Sequence, residues 1–265
     1  MTSAHDHAGE RFAVARDYIR SRGEIPIEAH GHEFDTQLRR FAKLVRFCPG
    51  TRLLEIGPGT GWLLIQASRQ GLVCCGLELN SELADFARAR ARKHGVDIEI
   101  EVGDIEDGGL PSESFDVVVA NSVLEHVRDH RRALEHIYRT LRPGGLFYFN
   151  STNKFALRSG EYPSVRLYGW LAYGTRRRIR VARQGPGIVE SAGMDFHQFT
   201  HPGLRRMLGE IGFNRVVSIY ELIDVDDLNH RSTPRILAMR AYKALPALRH
   251  VIEAFADGTS FYCVK

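Results

Sequence analysis

Leu53-Leu54-Glu55-Ile56-Gly57-Pro58-Gly59-Thr60-Gly61 sits about a fifth of the way along the 265-residue chain. A short apolar strand runs into three glycines at alternate positions. Beyond them Trp62 to Gln70 reads as a helix stopped by Gly71. Glycine admits positive φ and lets a ligand press against bare backbone. A dinucleotide loop needs Gly-x-Gly-x-x-Gly, which would put its third glycine at position 62, where Trp62 stands. Glu55, two positions before the first glycine, would also repel a pyrophosphate. The loop therefore suits a cationic ligand rather than a dinucleotide.

Outward from this loop, strands and helices alternate. Leu72 to Leu79 is a continuous apolar strand, and Asn80 or Ser81 caps a helix through Lys93 that Gly95 ends. Ile98 to Val102, Phe115 to Ala120 and Leu146 to Asn150 are further strands. Asp129 to Leu141 is a helix stopped by Arg142-Pro143-Gly144-Gly145. This rhythm predicts a doubly wound parallel sheet with helices on both faces, whose ligands bind beyond the carboxyl ends of the strands. Residues just after strands are thus the candidates: Glu78 with Leu79, Asp104 with Ile105, and Asn121 with Ser122. Glu78 can accept hydrogen bonds from ribose hydroxyls, and Asp104 can accept one from an adenine amino group beside Ile105.

Two helices are expected before this core, over Arg11 to Arg22 and Asp35 to Phe47. After the fifth strand, Ser151 to Phe199 reads as a long irregular stretch with Tyr162, Tyr168, Trp170, Tyr173 and Phe196. Compact domains rarely carry such a loop without a use. Thr200 caps a helix through Ile211, Phe213 to Ile219 is a sixth strand, helical patterns fill Pro234 to Phe255, and Thr259 to Val264 is the last strand. The chain is expected to be one domain, with N-terminal helices over 1–48, a ligand-binding core over 49–150, a substrate lid over 151–199 and the rest of the sheet over 200–265.

Composition supports a globular protein with a real core: 43% of residues are hydrophobic and the net charge is a mild +4. No run reaches the roughly 18 to 20 apolar residues of a membrane span, and no secretion signal is visible, so a cytoplasmic location is expected. Cys48, Cys74, Cys75 and Cys263 form no Cys-x-x-Cys pair, and no metal site is expected. Cys74 and Cys75 read as small core residues. The cluster Arg176, Arg177, Arg178, Arg180 and Arg183 reads first as a solvated face. An anionic substrate or a peripheral contact with an anionic membrane are its alternatives.

The order and spacing of LLEIGPGTG at 53–61, GLELN at 76–80, VGDIED at 102–107, FDVVVANSVLEHV at 115–127 and LRPGG at 141–145 resemble the class I S-adenosylmethionine (SAM)-dependent methyltransferases. The likeness is strong over 36–150 and weaker over 200–220. It implies a Rossmann-like seven-stranded sheet with an N-terminal helical cap and a lid inserted after strand five. It also implies SAM as cofactor, held by Glu55, Gly57, Gly59, Gly61, Glu78, Leu79, Asp104, Ile105 and Asn121. Leu124-Glu125-His126-Val127 looks like the ubiquinone-biosynthesis O-methyltransferases and their small-molecule relatives. Some of those place Glu-x-x-Glu-His here and hold a divalent metal, but Ser122 stands where the first Glu would be, so no metal is expected.

The expected reaction is methyl transfer to a small molecule, first of all to a hydroxyl oxygen, with His126 and His197 as candidate bases. N- or C-methylation is the alternative. A nucleic-acid methyltransferase is less favoured, because Asn121-Ser-Val-Leu124 replaces the Asn/Asp-Pro-Pro-aromatic motif of amino-methylating enzymes, and no nucleic-acid partner is expected. A dehydrogenase and a non-catalytic SAM-binding module are further rivals, set aside on Trp62 with Glu55 and on the intact loop with its acids. Oligomeric state is not readable from the sequence.

Overall fold

Apolar side chains on both faces of β1 (Arg52–Ile56) commit it to the middle of a sheet. Leu53 packs into one buried cluster and Leu54 into another. Val117 and Val119 of β4 (Phe115–Asn121) share the first cluster, and Val118 and Ala120 the second. The computed structural model describes residues 15–160, 162–189, 193–224 and 233–265. Its sheet has seven strands in the order β3-β2-β1-β4-β5-β7-β6, with β2 at Val73–Glu78, β3 at Glu99–Val102, β5 at Leu141–Ser151, β6 at Arg215–Ser218 and β7 at Thr259–Val264. β1 to β5 pair parallel, while β7 runs antiparallel to both β5 and β6. The strand order reverses between β1 and β4, so the glycine loop and the segment after β4 open onto the same crevice.

Helices α2 (Gly31–Ala42), α3 (Trp62–Arg69) and α4 (Ser81–Lys93) cover one face. α5 (His130–Thr140) and α7 (His201–Ile211) cover the other. The caps are those the residue types predict. Asn80 Oδ1 accepts from Leu83 N at 3.1 Å, Asp129 Oδ1 from Arg132 N at 3.0 Å and Thr200 Oγ1 from Gly203 N at 3.3 Å. Of the helix expected over Arg11 to Arg22, residues 15–22 are helical (α1), and 11–14 lie outside the described residues.

Several boundaries differ from expectation. α2 starts earlier than Asp35 and stops at Ala42, because Phe34 and Phe41, two turns apart, fix its buried face. Phe47 lies beyond it and stacks on Phe41 at 5.7 Å. The Leu141–Gly145 turn belongs to β5. Phe115 pairs with Leu141 and Val117 with Leu146, so 142–145 bulge out of the ladder. β6 ends at Ser218, where Glu221 Oε1 accepts from Ser218 N at 2.9 Å and starts a single helical turn, α8 (Ile219–Leu222). The Pro234–Phe255 region is two helices, α9 (Thr233–Ala244) and α10 (Pro246–Ala254), with Pro246 opening the second. Cys74 is buried and Cys75 half-buried.

The stretch 151–199 is not irregular throughout. It holds α6, Tyr173–Gln184, and three or four of the residues on either side form short 3-10 turns. The arginine cluster lies on α6 and is not a uniformly solvated face. Arg176 and Arg180, one turn apart, are buried and converge on the buried carboxylate of Asp195. Tyr168 Oη donates to the same carboxylate at 2.9 Å and Gln198 Nε2 at 2.8 Å. Arg177, Arg178 and Arg183 stay outside.

Candidate functional site

At the carboxyl end of β1 the chain turns through three left-handed glycines, with φ of 66°, 53° and 71° at Gly57, Gly59 and Gly61. Gly57 N bonds Leu77 O at 2.9 Å, and Gly59 N bonds Glu78 Oε2 at 3.1 Å. The other Glu78 oxygen accepts from Asn80 N at 3.1 Å. A Cβ on Gly61 would stand 3.0 Å from that of Ala87, so the loop fits closely against α4.

Glu55 lies beneath this loop, 3% exposed. Its Oε1 meets Asn121 Nδ2 at 3.5 Å, and its Oε2 is buried with no hydrogen-bond partner. Burial pushes the Glu55 carboxyl well above the usual range. The Asn121 amide opposes that rise, and the neighbouring Glu78 adds to it. Glu78 is raised as well, again chiefly by burial and against three backbone N–H groups. A buried carboxyl oxygen without a donor, beneath a loop of bare backbone, suits a cationic group.

Asn121 is itself held. Asn150 Nδ2, at the carboxyl end of β5, donates to Asn121 Oδ1 at 2.9 Å. Asn150 Oδ1 accepts from Ser122 N at 2.9 Å and Ser122 Oγ at 3.0 Å. These bonds fix Ser122 in a left-handed conformation, φ 51°, that a serine seldom adopts. Beside β2 and β3, a cavity of about 230 Å³ is lined by Leu77, Gly103, Asp104, Ile105 and Leu110 among others. Asp104 caps the following turn through Glu106 N at 2.9 Å. Ile105 is buried and Leu79 is half exposed.

The two candidate histidines fall in different places. His126 Nδ1 lies 3.0 Å from Met194 O, a carbonyl that can only accept, so Nδ1 is the donor. His197 Nε2 faces Arg128 O at 2.9 Å, and its ring packs on His130 and Phe199. That cluster is separate from the Glu55–Asn121–Asn150 ladder. Between the two, Glu125 is buried. Its Oε2 accepts from Ser151 Oγ at 2.6 Å, and its backbone oxygen accepts from Phe196 N and His197 N. Among the described residues, no group of three or more His, Cys, Asp or Glu side chains could hold a metal.

Sequence reasoning missed three participants. Tyr18 of α1 leans over the glycine loop, and a Cβ on Gly59 would lie 3.1 Å from its ring and its hydroxyl. Burial raises its phenol, with Glu55 and Glu78 adding to the rise and Arg22 opposing it. Arg90 of α4 ties the loop to the N-terminal segment, donating to Thr60 O at 3.3 Å and to Ile25 O. Asn150 could have been found, because it directly follows an apolar strand. Tyr18 and Arg90 carry no local signal.

A methyltransferase-domain family model matches residues 54–149. The chain belongs to the class I SAM-dependent methyltransferases and is an enzyme that uses S-adenosylmethionine. Among its relatives, the ubiquinone biosynthesis O-methyltransferase of Paramagnetospirillum magneticum is 32% identical over 180 residues, 62% of this chain and 70% of that one. The protein of the same name from Coxiella burnetii is 28% identical over 178 residues, covering 64% and 74%. The fold is shared with an S-adenosylmethionine-dependent methyltransferase from Mesorhizobium loti (TM-score 0.55, 20% identity, 86% of this chain and 96% of that one). It is also shared with Haemonchus contortus phosphoethanolamine N-methyltransferase 2 in complex with S-adenosyl-L-methionine (TM-score 0.56, 18% identity, 95% and 60%). Among the described residues no helix is long and apolar enough to cross a membrane.

Proposed function

We propose that the chain transfers the methyl group of SAM to a hydroxyl oxygen of a small molecule. The observation that carries this reading is the 32% identity to an enzyme named as an O-methyltransferase. His126, which follows β4 and bonds Met194 O through Nδ1, is the base this reading assigns.

The cofactor supplies a methyl on a sulfonium, whose departure leaves a neutral thioether. Glu55 would hold the ammonium of its methionine part, which would give the buried Oε2 the donor it lacks. Gly57, Gly59 and Gly61 shape the passage. Glu78 accepts from the ribose hydroxyls beside Leu79. Asp104 and Ile105 hold the adenine in the cavity beside β3, and Asn121 orients Glu55. Residues 151–199, with the N-terminal helices, cover the acceptor and exclude water. Alignment of acceptor and methyl supplies most of the acceleration. His126 would take the hydroxyl proton as the C–O bond forms and the S–C bond to the methyl breaks. His197, bonded to Arg128 O, organises the end of the lid.

The test is methyl transfer from SAM to a panel of phenols, catechols, amines and carbon acids, with products read by mass spectrometry. Ethers are expected. Methylated amines or carbon acids alone would overturn the hydroxyl assignment. With a hydroxyl acceptor, His126→Ala lowers kcat by about 10² or more while cofactor affinity holds, and His197→Ala has a much smaller effect on kcat.

A further inference from the structure

Helix α10 buries its one carboxylate and turns three of its apolar residues outward. Glu253 is 4% exposed, accepts from Tyr242 Oη at 2.9 Å and has Arg205 Nη2 at 3.8 Å. Leu248, Val251 and Phe255, three and four residues apart, form one stripe facing solvent, with Val251 and Phe255 more than half exposed. Leu245 continues the stripe at the hinge, and Leu237 is exposed on α9. A contiguous apolar face on an otherwise well-packed protein marks a contact surface.

Charge says what the face meets. Across 236–256 the sequence carries Arg240, Lys243 and Arg249 against a single carboxylate, the buried Glu253. Arg240 and Lys243 are exposed. Lys243 Nζ donates to Glu221 O at 2.9 Å, and Asp224, whose charge also acts on Lys243, pairs with Lys43 at 2.6 Å. Apolar side chains bordered by an excess of cations suit the interface of an anionic bilayer. A second copy is the less favoured occupant, because a two-fold contact would bring two sets of these cations into one interface.

The location also suits a surface contact. β5 and β6 both run antiparallel to β7, so the segment after β6 leaves from the same sheet edge as the glycine loop. Asn153, just past β5, clamps the end of α10. Its Nδ2 donates to the carbonyls of Glu253, Ala254 and Ala256 at 3.0, 3.1 and 2.9 Å.

We propose that the α9–α10 pair is a docking surface for an anionic lipid bilayer. Leu245, Leu248, Val251 and Phe255 enter the acyl boundary, and Arg240 and Lys243 meet lipid phosphates. This holds whatever the methyl acceptor is.

The test is co-sedimentation of the full chain with vesicles of phosphatidylcholine alone or mixed with phosphatidylglycerol. Binding to the mixed vesicles only, weakening as salt rises, is expected. Val251→Glu with Phe255→Glu should abolish it, and Arg240→Glu with Lys243→Glu should weaken it about tenfold or more. Unchanged melting temperature and S-adenosylhomocysteine binding show that the variants fold. The proposal is overturned if the wild type stays with the supernatant, or if neither pair of substitutions changes sedimentation. It is equally overturned if the wild type does not sediment and light scattering finds a dimer that the first pair dissociates, since the stripe would then cover a second copy.

Discussion

Burial sets the chemistry of Glu55. Its ordinary pKa of 4.5 is raised in the folded chain, so the folded state binds the proton more tightly than the unfolded state. The stability this contributes is complete below the unfolded value and is lost as pH climbs through the folded one. Thermal melts without cofactor should therefore fall in temperature as pH rises above 4.5, and Glu55→Gln should flatten that slope. Over the same range, affinity for S-adenosylhomocysteine should grow in the wild type as Glu55 ionises, which calorimetry can follow. Gly61 carries a different constraint. Gly61→Ala puts a Cβ at φ 71° and 3.0 Å from Ala87, and should cost about 1–2 kcal/mol in urea unfolding. The glycine spacing and the acids were readable in the sequence, because each is defined by its place directly after a strand. Tyr18 was not, since only the packing of α1 brings it over Gly59.

At the level of elements, α6 shows why a helix can hide. Hydrophobic periodicity reveals a helix when its buried face is apolar. The buried positions of α6 are Arg176 and Arg180, so the pattern reads as a charged run, and only Asp195 makes burial tolerable. Removing that carboxylate leaves two guanidinium groups buried without their counter-charge. Asp195→Ala should cost about 3–5 kcal/mol, and hydrogen exchange should locate the loss in 151–199 before the sheet. The central strands were legible because they are apolar on both faces. The β5 bulge was not, because Pro143 with Gly144 and Gly145 has the composition of a turn, whereas the ladder with β4 and β7 decides otherwise. Gly144 N bonds Lys265 O at 2.9 Å, and Lys265 N bonds Gly145 O at 3.0 Å.

For the whole molecule, the sheet places three segments distant in sequence around one crevice: α1, the loop after β1 and the segment after β4. α1 is fastened to α4 by Arg16 and Glu82 at 3.2 Å, an exposed pair worth little by itself. Tyr18 rests on the loop from above. The consequence is kinetic. A nucleoside product bound beneath that ring would leave only when α1 lifts, and each cycle would then wait on a hinge rather than on bond making. Rapid-quench measurement should show a burst of methylated product followed by a slower steady rate, and Tyr18→Ala should erase the burst while raising kcat. A linear time course in the wild type would instead assign the slow step to the transfer itself.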